Sequence, residues 1–123
     1  MIKSGIDLIR TNRLADINPA IRERFIKRVF TPTEQEQARG DLESLSGIFA
    51  AKEAVSKVLG TGIGKVSWQD IEIIHAPSGE PLVHLHGEAS QVARERGLRH
   101  WSVSITHDGG LAAAVAVAIG ELS

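Results

Sequence analysis

Residues 41–59 most constrain the fold of this 123-residue chain, because they read as one long helix closed by glycine. The run Phe49 to Leu59 is rich in alanine, lysine and glutamate, which favour helix. Gly60 then stands at the C′ position, where a chain leaves a helix with positive φ. Projected at about 100° per residue, Leu42, Leu45, Ile48, Phe49, Val55 and Leu59 share one broad apolar face. Glu53 falls on the flank of that face and Lys57 lies beside it. Lys52 falls near the centre of the stripe, where an ammonium must snorkel out or meet an anionic partner. Glu53 and Lys57, one turn apart, have two readings. They form an exposed ion pair worth a few tenths of a kcal/mol, or a metal ligand beside a phosphate-binding cation. Helical periodicity by itself favours the first. The glycines of Gly60-Thr61-Gly62-Ile63-Gly64 do not make the usual nucleotide loop, which follows a strand and opens a helix. They follow a helix, so they read as its cap, with room for a small anion nest of successive N–H groups.

The length fits one domain spanning residues 1–123, with a core of its own and no room for a second. Hydrophobic residues make up 42% and charged residues 24%, an ordinary balance for a soluble globular protein. There is no cysteine, which excludes disulfides, a thiolate metal site and a catalytic thiol. No apolar run reaches the roughly 18 residues of a membrane span, and Met1 to Gly5 lacks the apolar region of a signal peptide. The expected location is the cytoplasm, with no membrane partner. Formal net charge is −1, yet residues 1–30 carry +4 and the remainder −5. That asymmetry suits an acidic partner for the N-terminal third; a solvated helix face accounts for it equally well. Nucleic acid is disfavoured, since no aromatics interleave with the arginines and the pI is about 6.5.

The other elements follow from local signals. Residues 2–9 read as a strand with Asp7 near its end, and residues 11–17 and 19–29 as two short helices, the second opened by Asn18-Pro19. Thr31-Pro32-Thr33-Glu34 starts another helix. Residues 71–75 and 81–86 are strands joined by the turn at 77–80. Residues 89–95 form a helix closed by Gly97. Residues 102–106 alternate as a half-buried strand does. Residues 111–119 mix helix-forming alanines with β-branched alternation, and the preceding Asp108-Gly109-Gly110 makes them the second strand of a hairpin. A strand of alanines leaves room for a second layer or a second subunit. The expected class is α+β, a small antiparallel sheet with one long and several short helices.

Candidate site residues outside the helix are few. His107, at the end of strand 102–106, reads as a turn histidine bonding its own backbone or as a site residue. Asp108 either orients it or favours the turn. His84 and His86 share a strand face, but no acidic or cysteine pattern nearby suggests a metal site, so they and His75 read as exposed strand histidines. Trp68 and Trp101 read as core or interface filling.

Three motifs nonetheless occur in a telling order. Gly5-Ile6-Asp7-Leu8, Phe49 to Gly62, and Ser102-Val103-Ser104-Ile105-Thr106-His107-Asp108 together closely resemble the holo-acyl-carrier-protein synthase family, the small stand-alone phosphopantetheinyl transferases. The likeness covers nearly the whole chain, including its length and the basic helix before residue 30. It implies that coenzyme A donates its phosphopantetheine arm to a serine of an apo acyl carrier protein, releasing adenosine 3′,5′-bisphosphate. It also implies that Asp7 and Glu53 hold Mg²⁺ against the pyrophosphate. The residue types suit that role, since Mg²⁺ takes hard oxygen ligands, often one or two carboxylates with phosphate oxygens and water. Lys57 suits a phosphate oxygen as a point charge. By the same resemblance Gly60, Ser104, Thr106 and His107 line the coenzyme A site, and Arg13, Arg24, Phe25 and Arg28 meet the carrier's acidic helix. A homotrimer with sites between subunits is implied as well.

Two points stay open in the sequence. The serine proton passes to Glu53, to a metal-bound water or to water relayed through Glu53; a carboxylate already on a metal is a poor base, which favours bound water oriented by Glu53. The residue before Phe49, basic or polar in the family pattern, is Ile48 here. That leaves one coenzyme A contact to Lys65 or to an arginine of a neighbouring subunit.

Overall fold

Small residues decide where the long helix lies. The computed structural model describes residues 1–120. In chain order it has β1 (Ile2–Arg10), α1 (Asn12–Ala15), α2 (Pro19–Val29), α3 (Pro32–Ala38), α4 (Leu42–Leu59), a 3-10 turn (Trp68–Asp70), β2 (Ile71–His75), β3 (Pro81–Leu85), α5 (Gly87–Glu95), β4 (His100–Asp108) and β5 (Leu111–Ile119). The strands form an antiparallel sheet in the order β1-β5-β4 and a separate β2-β3 hairpin. The class is α+β, as expected.

Side chains alternate across a strand, and β5 uses this sharply. Ala112, Ala114, Ala116 and Ala118 are buried on one face, while Leu111 and Val115 remain exposed on the other. Helix α4 lies across the alanine face with its own small residues, Gly47, Ala50, Ala51 and Ala54, all buried. The room left by the alanines is thus filled by the chain's own helix. At β1 the approach is closest. A Cβ on Gly5 would run into the Ala54 carbonyl and come within 3.1 Å of the Lys57 Cβ. Only glycine lets the strand press against the helix there.

Helix α4 is buried on more than the single face that periodicity marks. Its other side meets α3 and β2, so Leu45, Ile48, Val55 and Leu59 are covered there too. Burial of each such side chain stabilises by about 1.5–3 kcal/mol. Lys52 is sealed on that side. Its Nζ lies 2.8 Å from Glu34 Oε1, with neither side chain exposed. Nζ also donates to the carbonyls of Ile71 at 2.6 Å and Trp68 at 3.0 Å, 5.8 Å from the Phe30 ring centroid. Glu34 accepts from the Thr31 N–H at 2.9 Å and the Ile73 N–H at 2.7 Å. One pair of charges thereby joins α3, the 3-10 turn and β2 to α4.

Caps set most element ends. Asn18 accepts from the Ala20 N–H, Thr31 and Glu34 form a reciprocal capping box, and Asp41 accepts from the Glu43 N–H. Three elements differ from the sequence reading by two residues or more at an end. Helix α1 is a single turn, because the Thr11 N–H and hydroxyl both donate to the Gly110 carbonyl. Strand β4 runs from His100 to Asp108 because β5 pairs along its whole length. Helix α5 begins at Gly87, after the His86 N–H bonds the Asp70 carbonyl.

Candidate active site

The inner face of β1 and the second half of α4 converge on three charged side chains. Asp7 shares the inward parity of Gly5 and Ile9, and the close contact at Gly5 brings Lys57 over the strand. Lys57 Nζ donates to the Ile6 carbonyl at 2.8 Å and lies 3.3 Å from Asp7 Oδ1. Its side chain remains 52% exposed, against 18% for Asp7. Lys57 therefore reaches across to the strand instead of pairing with Glu53 along the helix, and the i,i+4 surface pair does not form. Glu53 is half-buried beside them. Burial, then the negative charge of Asp7, push its carboxyl above the usual carboxylate range, against the pull of Lys57. Two carboxylates facing one lysine leave an excess of negative charge, which a hard divalent cation would neutralise.

Other expected site residues do not join this cluster within one chain. Gly60 has φ of +78° and its N–H donates to the Ser56 and Lys57 carbonyls at 3.0 and 3.2 Å. That amide closes the helix and is not free for an anion. Arg96, which the sequence reading passed over, lies against Gly60 and donates to the Leu59 carbonyl. A cation over the last carbonyls suits the helix dipole. Ser104 pairs with Val115 and Thr106 with Ala113, on the sheet face opposite α4. His107 points to the helix side, but at the far end. Its Nε2 lies 3.0 Å from the Glu43 carbonyl, 14 residues and about 21 Å along the axis from Lys57. Among the described residues no bond joins its ring to its own backbone or to Asp108. His107 lines a small cleft with Ser44, Ile48, Ile105, Gln37 and His75.

Arg13, Arg24 and Arg28 are exposed on α1 and α2. Phe25 is half-buried in a row of rings, 6.4 Å from Phe30 and 5.8 Å from Phe49, with Phe49 4.9 Å from Trp68. On the hairpin, His86 Nε2 lies 2.9 Å from Glu72 Oε1, and Thr31 Oγ1 donates to Glu72 Oε2 at 2.6 Å. So His86 has a carboxylate partner, which the sequence reading did not give it. The partner stands on the neighbouring strand, too far along the chain for local spacing to show. No helix among the described residues is long and apolar enough to cross a membrane.

The comparisons with known proteins agree on one group. The model of the 4′-phosphopantetheinyl transferase superfamily matches residues 3–116. The holo-[acyl-carrier-protein] synthase of Moorella thermoacetica is 44% identical over 126 residues, covering 100% of this chain and 98% of that protein. The corresponding enzyme of Herpetosiphon aurantiacus is 40% identical over 127 residues, 98% of this chain and 100% of that one. The crystal structure of Helicobacter pylori holo-[acyl-carrier-protein] synthase in complex with coenzyme A superposes with a TM-score of 0.85 at 34% identity, covering 97% of this chain and 100% of that one. The α+β fold is thus that of a phosphopantetheinyl transferase. The chain belongs to the holo-[acyl-carrier-protein] synthase family of enzymes.

Proposed function

We propose that this enzyme transfers the 4′-phosphopantetheine arm of coenzyme A to a serine hydroxyl of an apo acyl carrier protein, of fatty-acid or polyketide type, in the cytoplasm. Adenosine 3′,5′-bisphosphate leaves. The observation that carries the reading is the meeting of Asp7 on β1 with Glu53 and Lys57 on α4. Asp7 and Glu53 would hold Mg²⁺, which when bound neutralises charge on the pyrophosphate and on the leaving bisphosphate. Lys57, tethered by the Ile6 carbonyl and half-exposed, holds a phosphate oxygen and shields the attacked phosphorus from the carboxylates. Glu53 orients the water that accepts the serine proton.

The sheet's outer face supports a homotrimer with shared sites. Ile2 is 74%, Ile6 67% and Leu8 62% exposed, beside Leu111 and Val115. Adjacent apolar side chains in such number mark a surface that another chain covers. Ser104 and Thr106 stand on that same face, so in the trimer they serve a neighbouring copy's Asp7, Glu53 and Lys57. His107 at the strand end completes that half of the coenzyme A site, while Gly60 contributes the close helix end beneath Arg96. The carrier's acidic helix docks on Arg13, Arg24 and Arg28, with Phe25 backing them from the ring row.

The test mixes the protein with coenzyme A, Mg²⁺ and several apo carriers and weighs the carriers afterwards. The expected outcome is a carrier heavier by one phosphopantetheine arm, lost on chelation. No gain on any carrier would sink the reading.

A further inference from the structure

Gly47 sits in the middle of a helix, where glycine costs about 1 kcal/mol relative to alanine. It lies five residues inside α4, away from both caps. Its surroundings ask for glycine. A Cβ at Gly47 would stand 2.8 Å from His107 Nε2, 2.9 Å from His107 Cε1 and 2.9 Å from Ile105 Cγ2. Heavy atoms do not approach that closely, so a larger residue at position 47 forces the imidazole and Ile105 to shift. The ring therefore occupies the volume that a side chain at position 47 would take. Among the described residues, Nε2 lies 3.0 Å from the Glu43 carbonyl. A carbonyl only accepts, so Nε2 carries the hydrogen in this contact in every protonation state of the ring. The neutral ring then leaves Nδ1 as its unprotonated nitrogen, and the protonated ring offers Nδ1–H to an anion.

We propose that Gly47 and the Glu43 carbonyl are positioning groups that seat His107 on helix α4, fix its Nε2–H tautomer and present Nδ1 alone to the coenzyme donor. The proposal rests on the reading above that His107 belongs to the donor site. It adds which atom of His107 faces the ligand, and why the helix tolerates a glycine there. His107 is exposed and sits at a strand end, where an untethered ring would sample several rotamers. The slot removes them before the donor arrives, which is preorganisation.

The test uses the full-length protein and two readouts. Ring ¹⁵N–¹H spectra, assigned with His107→Ala, report the tautomer without any ligand. The wild-type ring is expected to show a single Nε2–H form, and Gly47→Ala is expected to lose it. In steady-state assays Gly47→Ala is expected to raise KM for coenzyme A about tenfold, the loss of one hydrogen bond to a charged group, with kcat little changed. Combined with His107→Ala it adds nothing further. His107→Gln reproduces the Nε2 donor but not Nδ1, so it is expected to raise KM as much as His107→Ala. This variant leaves the helix untouched and keeps the test alive if Gly47→Ala folds poorly. A wild-type KM in His107→Gln would put Nε2 on the donor and overturn the assignment. So would an unchanged ring spectrum in Gly47→Ala, or additive losses in the double variant. If instead His107→Ala binds coenzyme A normally while the spectra behave as expected, the donor-site reading of His107 falls and the seat stands.

Discussion

Two lysines five residues apart on α4 have opposite fates. Lys52 is sealed, its three donor positions taken by Glu34 and two backbone carbonyls. Lys57 is 52% exposed and tethered to the Ile6 carbonyl and Asp7. Five residues rotate a helix by about 500°, which puts the two on different sides. One side faces α3 and β2, the other looks past β1 to solvent. Burial pushes the Glu34 carboxyl up and the Lys52 ammonium down, each opposed by the partner's charge. Such a pair is kept by its hydrogen bonds, and it fixes where α3 and β2 meet the helix. An exposed lysine beside two carboxylates is a poor brace but an available cation. The helix thus keeps one ammonium for architecture and one for chemistry.

The largest expected effect breaks the sealed pair. Glu34→Ala leaves a buried ammonium without its counter-charge and frees the Thr31 and Ile73 amides. A loss of about 3–5 kcal/mol is expected, as for other broken buried pairs, read from urea unfolding. Replacing both partners with apolar residues, Glu34→Leu with Lys52→Met, is expected to recover most of it. If Glu34→Ala cost under 1 kcal/mol, the brace would be no brace.

Next come the open residues, whose losses fall in activity. Lys57→Ala and Glu53→Gln are each expected to lower kcat by about 10²–10³, the scale of one removed electrostatic contact at a reacting group. Stability should change by no more than about 1 kcal/mol. Equal losses of stability at positions 52 and 57 would erase the contrast.

That contrast was only half legible in the sequence. Helix α4, its end at Gly60 and the awkward place of Lys52 follow from local codes: periodicity, capping and the cost of burying charge. Snorkelling out or an anionic partner were the alternatives for Lys52, and it meets the anion, Glu34, with two backbone carbonyls beside it. The partner of Lys57 was not legible as geometry, because Asp7 lies 50 residues away and helical spacing points first to Glu53. Nor does a single apolar face describe α4. Its Gly47, Ala50 and Ala54 count little in any hydrophobicity pattern, yet they form the face on the sheet. The strand alternation that reveals β4 also hides its consequence, since Ser104 and Thr106 fall on the side away from Glu53. Only the pairing of β4 with β5 shows that.

A smaller effect is expected at the basic surface of α2. Arg24 is exposed on α2, so Arg24→Glu should leave folding unchanged. It should lower kcat/KM for an acidic carrier several-fold at low salt, mainly through association, with the difference shrinking as salt rises. An unchanged Michaelis constant for the carrier would remove Arg24 from the docking surface.

The smallest effect tests a third kind of charge, neither sealed nor open. Burial alone would raise the Glu72 carboxyl. The hydrogen bonds from Thr31 and His86 and the charges of His86 and His84 outweigh it and hold the group below its ordinary value. The folded state thus binds the proton less readily than the unfolded chain. Glu72 stabilises the fold at pH above the ordinary glutamate value of about 4.3, and the contribution fades as pH falls through the lower folded value. Glu72→Gln should remove about 1 kcal/mol at pH 6, the worth of one or two hydrogen bonds at a rim. The gap between variant and wild type should close toward pH 3. Unfolding curves at both pH values check this. A gap that widened on acidification would mean that burial outweighs Thr31 and the histidines and raises the Glu72 carboxyl in the fold.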